Sequence, residues 1–440
     1  MTAPAPPHLR AITVDITDET PADAHLLDLV PTDASPTTVC SWLREGDGLV
    51  GWGRAATCLT GGTDRFTRAE AWWDGVRLLA QIEDDVRIPG TGLVTFGSFS
   101  FAADSGDESR LVVPQILIGR RRGRTWRTTV TREDGTVEPP QEHLTHLAGP
   151  TGTITIMQGS VSAQDWPEVI TRAIAAISAG DVEKVVLARD ELAVADGPID
   201  AQHVLRRLAD RYDATWTFAV DGLVGATPEM LVRRWDGKVH SRVLAGTVRR
   251  DQARWPLIAE DHPDFKAEHD VDPRLRLISS EKDLEEHAFA VRSVAEALAP
   301  HCSDLDVPAE PFVLKLPDVY HLASDISGVH SGDATSLRLA AALHPSAAVC
   351  GTPAVQAAEL IADLEKMDRG RYAGPVGWMD AAGEGDWGIA LRCGELCPDA
   401  RRMRLFAGGG IVAASDPQAE LAETQIKLAA MRYALGEDPA

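Results

Sequence analysis

The chain has 440 residues, and at about 150 residues per domain that length suggests roughly three domains or one large α/β-type unit. A hydrophobic fraction of 44% and a charged fraction of 25% exclude a disordered or collagen-like bulk. A formal charge of −23, with no basic run longer than Arg120–Arg122 plus Arg124, excludes an electrostatic nucleic-acid binder and a polybasic membrane anchor.

Residues 1 to 10 are Pro- and Ala-rich and read as disordered, with no apolar core of a signal peptide. No apolar run approaches the ~18 residues of a membrane span, so a soluble, cytoplasmic protein is expected. The cysteines Cys40, Cys58, Cys302, Cys350, Cys393 and Cys397 are sparse and read as reduced thiols rather than a disulfide framework. Short β-like stretches dominate to about residue 132, with 93–101 and 111–119 the most β-rich. Gly46-Asp-Gly48-Leu-Val-Gly51 matches a dinucleotide fingerprint. It has no strand before it and no helix opening after it, so it reads as a tight turn between strands. A polar Pro- and Gly-rich stretch, 132–152, marks a boundary. Residues 1–152 are thus expected to form a β-rich part and 153–440 a second, catalytic one.

After the boundary the patterns are more regular. Residues 166–179 carry a helical stripe (Val169, Ile170, Ala173, Ile174, Ile177), with Asp165 as cap, Pro167 in the first turn and Gly180 after the end. Lys184–Arg189 reads as a strand whose alternation groups Lys184, Val186 and Ala188 on one face. Asp221-Gly222 between Thr215–Val220 and Leu223–Ala226 is a strong hairpin signal, so the strands pair antiparallel. His262, Asp264, His269 and Asp270 lack clean metal-ligand spacing and read as a polar loop. Ser280-Glu281-Lys282-Asp283 resembles a capping box and opens a helix that Pro300 stops. Asp416-Pro417 opens a last helix, which Gly436 ends. Strands and helices are both abundant, which implies an α+β fold. GxSxG, Walker A and HExxH patterns are absent, which removes the commonest hydrolase, P-loop and zincin readings.

Several residues carry chemistry. Asp283 and Glu286 are i, i+3, and Glu420, Glu423 and Lys427 are i, i+3, i+7, so each set lies on one helix face. Brought together they could hold a hard cation; apart they are solvated faces. Lys184, mid-strand, is either a snorkelling edge residue or a buried amine able to act as a base. Glu229 is similarly open. Gly408–Gly410 could bring amides close to an anion, or mark a bulge. Arg392 could grip a carboxylate bidentately, or form a structural ion pair.

Taken together these segments resemble the chorismate-utilising enzymes, a family that includes isochorismate, salicylate, anthranilate and aminodeoxychorismate synthases. The matching blocks run in family order over about residues 160–435: KVVLAR (184–189), GATPEML (225–231), LAGTVRR (244–250), SSEKDLEEH (279–287), VYHLASDISG (319–328), LHPSAAVCGTP (343–353), RGRYAGPVGW (369–378), IALRCGEL (389–396) and AGGGIVAASDPQAELAETQIKL (407–428). The first 150 residues resemble the family only loosely. The resemblance implies a large antiparallel β-sheet core with helices outside and a magnesium-dependent chorismate site. In that site Glu286 and Glu423 would bind Mg2+, with Asp283 and Glu420 behind them or through water. Arg392, Tyr372 and the Gly408, Gly409 and Gly410 amides would hold the enolpyruvyl carboxylate. Gly246 and Thr247 would contact the ring carboxylate, and His321 would sit beside the ring. Lys427 would neutralise the carboxylates. Lys184 would be the base for water and Glu229 the acid for the leaving hydroxyl.

Within the family, ammonia-using relatives do not have this lysine base. The aminodeoxychorismate branch places a lysine where this chain has Ala245. The resemblance therefore implies chorismate to isochorismate isomerisation, for menaquinone or a siderophore, by a monomer without an amidotransferase partner. Salicylate synthase, which shares the lysine, is the alternative. A non-catalytic chorismate-binding subunit would lack one of Lys184, Glu229, Glu286 or Glu423, and all four are present. Ser346-Ala347 and Gly409 are unusual variants that leave these roles intact.

Overall fold

Two dipeptide turns show how local chemistry sets this fold. Asp221 and Gly222 have φ of 47° and 82°, the paired positive values of a two-residue hairpin turn, and join strands Trp216–Val220 and Leu223–Thr227 in the computed structural model. Glu45 and Gly46 repeat the device at 52° and 82° between strands Cys40–Arg44 and Asp47–Trp52, so the glycine-rich match at 46–51 is a hairpin. The structure describes residues 4–32, 34–133, 152–249, 272–316 and 319–437. The His262, Asp264, His269 and Asp270 cluster lies outside them.

The described residues form two large, mostly antiparallel sheets and eight α-helices. The helices are α1 (Arg65–Leu79), α2 (Trp166–Ala179), α3 (Ala201–Arg211), α4 (Pro273–Ser279), α5 (Glu281–Leu298), α6 (Ser336–Ala342), α7 (Ala354–Glu365) and α8 (Pro417–Leu435). The first sheet runs in the order Ile154–Gln158, Lys184–Ala195, Arg402–Ile411, Cys393–Leu396, Leu223–Thr227, Trp216–Val220, Cys40–Arg44, Asp47–Trp52, Ile116–Arg121, Arg124–Arg132, Leu9–Asp15 and Gln81–Asp84. The second runs Cys302–Asp306, Val319–His330, Lys238–Arg249, Met230–Trp235, Gly385–Ile389, Pro375–Asp380, Val94–Ser98, Ser109–Val113 and Ala56–Thr60. Strands from before residue 152 therefore sit in both sheets beside strands from after it.

The helices cover the sheets. α5 packs on the Lys238–Arg249 and Val319–His330 strands, α7 on Lys184–Ala195, and α8 on Arg402–Ile411 with α2 and α3 against it. Their ends follow the sequence signals. Ser280 Oγ accepts from the Asp283 amide, Asp416 caps α8, and Gly180 and Gly436 end α2 and α8 in the left-handed region. The helix α1 was not among the expected elements. It buries Trp72, Trp73 and Val76, but Leu78 at its C-terminal end is 76% exposed, so no clean stripe marks it. All six cysteines are unpaired. Among the described residues no helix is long and apolar enough to cross a membrane.

Candidate active site

The chain switches sheets twice at one place, and that place carries two of the candidate residues. Pro228-Glu229 links Leu223–Thr227 of the first sheet to Met230–Trp235 of the second, and Leu391-Arg392 links Gly385–Ile389 back to Cys393–Leu396. The two crossings brace each other, because the Ile389 amide donates to Glu229 O (3.2 Å) and the Ala226 amide donates to Arg392 O (3.1 Å). Arg392 has φ 48°, in the left-handed region that side chains other than glycine seldom occupy. Such a conformation persists only when its surroundings hold it, and it is common at functional sites.

These crossings open onto a cleft of about 950 Å³, counting space open to solvent. Its walls are Val186 and Ala188 of one strand, Phe406–Gly410 of the next, Leu244–Gly246 and His321 of the second sheet, and side chains of α5 and α8. Asp283, Glu286, Glu423 and Lys427 line it, as do Glu229, Tyr372 and Arg392. The structure thus brings together most of the candidates. Lys184 does not line the cleft, but its Nζ lies 3.0 Å from Glu286 Oε1, and only 1% of its side chain is exposed. Glu420 is buried behind the glycine run, with Oε2 3.0 Å from where a Gly409 Cβ would be. The expectation for the Thr247 side chain lies outside the described residues; its backbone pairs with His321.

The glycine run is a regular strand rather than a bulge, with Gly408, Gly409 and Gly410 opposite Ala188, Leu187 and Val186. Val186 and Ala188 direct their amides away from this strand. Alternation therefore places Gly409 in the ladder with Leu187, and leaves the amides of Gly408 and Gly410 on the open edge. Lys427 Nζ confirms that direction, donating to Gly408 O at 2.7 Å, and it also pairs with Glu423 Oε1 at 2.6 Å. The missing side chains make room. A Cβ at Gly410 would collide with Glu286 Oε1 and lie 3.0 Å from Lys184 Cε. Gly410→Ala is therefore expected to displace both and to cut turnover by about 10²-fold, as a misplacement of about 1 Å can. Steady-state kinetics on protein of unchanged Tm checks this.

Burial decides the protonation of two groups. Glu229, 5% exposed, has its carboxyl pushed up to about 8 by desolvation, against the pull of the Leu244 amide and of Lys184 and Lys427. It is thus a protonated acid at neutral pH. His321 is held well below the usual histidine range by burial and by the charge of Arg392, so its ring is neutral. Its Nδ1 lies 3.3 Å from Gly246 O, and its Nε2 3.4 Å from Arg392 Nη2. The tautomer that fits donates from Nδ1 and accepts from Arg392. Burial also raises the Tyr372 phenol, which stacks on Phe406 with centroids 4.9 Å apart.

The donor set is all oxygen, as a hard cation prefers. Among the described residues no group of three or more His, Cys, Asp or Glu is gathered tightly enough to hold a metal alone. Glu286 of α5 abuts Gly410 and Glu423 of α8 abuts Gly409, and both carboxylates line the cleft.

Arg369, which lines the cleft, and Glu365 beneath it were not among the expected site residues. Their i, i+4 spacing was readable, but such pairs are usually solvated.

The family described as chorismate binding enzyme matches residues 41–436. A Bacillus subtilis (strain 168) protein, isochorismate synthase DhbC, is 39% identical over 287 residues, covering 62% of this chain and 68% of its own. A Mycobacterium tuberculosis protein, putative isochorismate synthase MenF, is 35% identical over 362 residues, covering 79% and 87%. Among solved structures, a putative 2,3-dihydroxybenzoate-specific isochorismate synthase, DhbC from Bacillus anthracis, superposes with TM-score 0.74 at 29% identity, covering 94% of this chain and 100% of the other. The menaquinone-specific isochorismate synthase MenF from Escherichia coli superposes with TM-score 0.77 at 22% identity, covering 99% and 96%, a likeness of fold.

Proposed function

The chain belongs to the chorismate-binding enzyme family, and from that premise we propose that it converts chorismate to isochorismate in a magnesium-dependent isomerisation. The observation that carries this reading is a buried carboxylic acid in the cleft wall, Glu229, that keeps its proton at neutral pH, together with a buried lysine, Lys184, standing 3.0 Å behind the lining carboxylate Glu286. The isomerisation needs one base and one acid, and these two residues supply them.

Starting as the neutral amine, Lys184 accepts a proton from water as the water oxygen bonds to ring C2. The ring double bonds shift, the C4–O bond breaks, and Glu229 gives its proton to the departing hydroxyl. One water enters and one leaves, so the atoms balance. In reverse the two residues exchange roles. Arg392, braced by neutral His321, and Tyr372 with the amides of Gly408 and Gly410 hold the enolpyruvyl carboxylate. Gly246 lies near the ring carboxylate.

Glu286 and Glu423 would hold magnesium directly, with Asp283 and Glu420 behind them or through water; when bound, it supplies positive charge to the ring carboxylate. The substrate is a dianion and the chain carries −23, so local cations must overturn the global field. Arg392, Lys427 and Arg369 are the cationic side chains lining the cleft, and Arg369 is paired with Glu365. The enzyme acts in the cytoplasm as a monomer and without an amidotransferase subunit.

Product analysis by HPLC tests the proposal. Chorismate with magnesium should yield isochorismate. Salicylate and pyruvate as main products would mean that elimination follows isomerisation. Anthranilate on adding ammonium would contradict water as the nucleophile.

A further inference from the structure

The strand that carries Lys184 is incomplete on one edge, beside the cleft. On its other edge it is paired with Arg402–Ile411 from Val185 to Val194. On the incomplete edge, Gly351–Thr352 covers Lys184 and Val185, and Ile154–Gln158 covers Glu191 to Ala195. Among the described residues Val186 to Asp190 have no strand beside them there. Buried amides and carbonyls need partners. The Val186 amide donates to Cys350 O at 2.8 Å, Val186 O accepts from Arg369 Nη2 at 2.7 Å, and the Ala188 amide donates to Glu365 Oε1 at 2.7 Å.

Glu365 and Arg369 thus stand in for the missing strand. They bind each other through Nε–Oε2 at 2.9 Å and Nη2–Oε1 at 2.5 Å, and their side chains are 1% and 3% exposed. Arg369 Nη1 also donates to Val349 O at 2.8 Å. One guanidinium therefore ties two separate chain segments, and Val186, Ala188 and Val349 all face the cleft. A lysine could not replace it, because its three N–H donors are fewer than the four acceptors Arg369 serves and lack the planar fork that meets both Glu365 oxygens. The strand is already held along Arg402–Ile411 and at both ends of the gap. A buried ion pair is also a costly way to gain stability alone, because both charges lose their water.

We infer that Glu365 and Arg369 are positioning residues: their ion pair fixes the strand bearing Lys184 against the Val349 turn, and so sets where the base stands relative to the substrate. The inference rests on the proposed reaction for its assay. Full-length Arg369→Lys and Glu365→Gln proteins test it through kcat, KM and the folded fraction by circular dichroism. In folded samples kcat should fall about 10- to 10²-fold while KM moves less than about threefold, with Glu365→Gln the milder because its amide oxygen still accepts from Ala188. Unchanged kcat per folded molecule with a lowered Tm would make the pair structural only. A raised KM at constant kcat would make Arg369 a substrate contact. Amide exchange of the wild-type protein needs no variant. Ala188 should be as protected as residues paired with Arg402–Ile411, and fast exchange would overturn the inference. If the wild-type protein turns chorismate into another product, the proposed function fails, while the kcat–KM split on that product still tests the positioning.

Discussion

Lys184→Ala is expected to lower chorismate turnover by about 10²- to 10⁴-fold, the usual contribution of a positioned general base. Chorismate should remain bound, because the residues assigned to its carboxylates are elsewhere: Arg392, Tyr372 and the open amides of the glycine run. The lysine is buried beside Glu286, so the variant leaves that carboxylate without its 3.0 Å partner. Magnesium, which would use the same carboxylate, should then bind no more weakly than in the wild type. Lysine and glutamate act as a unit in this arrangement, so the double variant Lys184→Ala/Glu286→Ala should be far from additive. Calorimetric titration with chorismate and initial-rate kinetics separate the effects. Wild-type turnover in Lys184→Ala would remove it as the base. Loss of chorismate binding would make it a substrate contact instead.

Glu229→Gln should be as damaging, about 10²- to 10⁴-fold in turnover, because an amide keeps the shape but has no acidic proton to give. The acid also predicts a pH profile. Wild-type turnover should fall as pH rises through about 8, where the buried carboxyl loses its proton. Stability carries a matching signature, with a defined sign. The folded protein keeps this proton up to about 8, whereas the unfolded chain releases it near 4.5. Between those values the unfolded state binds fewer protons, so this group makes stability fall as pH rises, and its effect levels off above the folded value. Thermal melts from the acid side to the basic side of that window should show a shallower decline for Glu229→Gln than for the wild type. Parallel curves would show that Glu229 is ionised in the folded protein.

Which parts of this arrangement were legible in the sequence follows from the range of the interactions. Local chemistry was readable: the Asp221-Gly222 turn, the Ser280 and Asp416 caps, and the strand alternation at Lys184 each depend on neighbours a few residues away. The α1 helix was not, because exposed Leu78 and Leu79 blur its stripe. Nor was the strand order, in which Cys40–Arg44 lies against Trp216–Val220, because pairing at that separation leaves no local trace. The chemistry divides the same way. Carboxylate spacing put Asp283 with Glu286 and Glu420 with Glu423 on common faces, but not on which side of the glycine run each falls. The expectation treated Gly408, Gly409 and Gly410 alike, whereas the pairing of Gly409 with Leu187 takes its amide into the sheet. The left-handed backbone of Arg392 and the strand-like role of Glu365 and Arg369 are set by tertiary surroundings alone.

The most direct test of the account is the chorismate reaction run in water enriched in the heavy oxygen isotope and stopped at low conversion. If Lys184 delivers water to C2 while Glu229 releases the C4 hydroxyl, mass spectrometry should find isochorismate with one labelled oxygen, at ring C2. Isochorismate without label at C2 would mean that the hydroxyl migrates within the substrate, and would contradict the roles assigned to both residues.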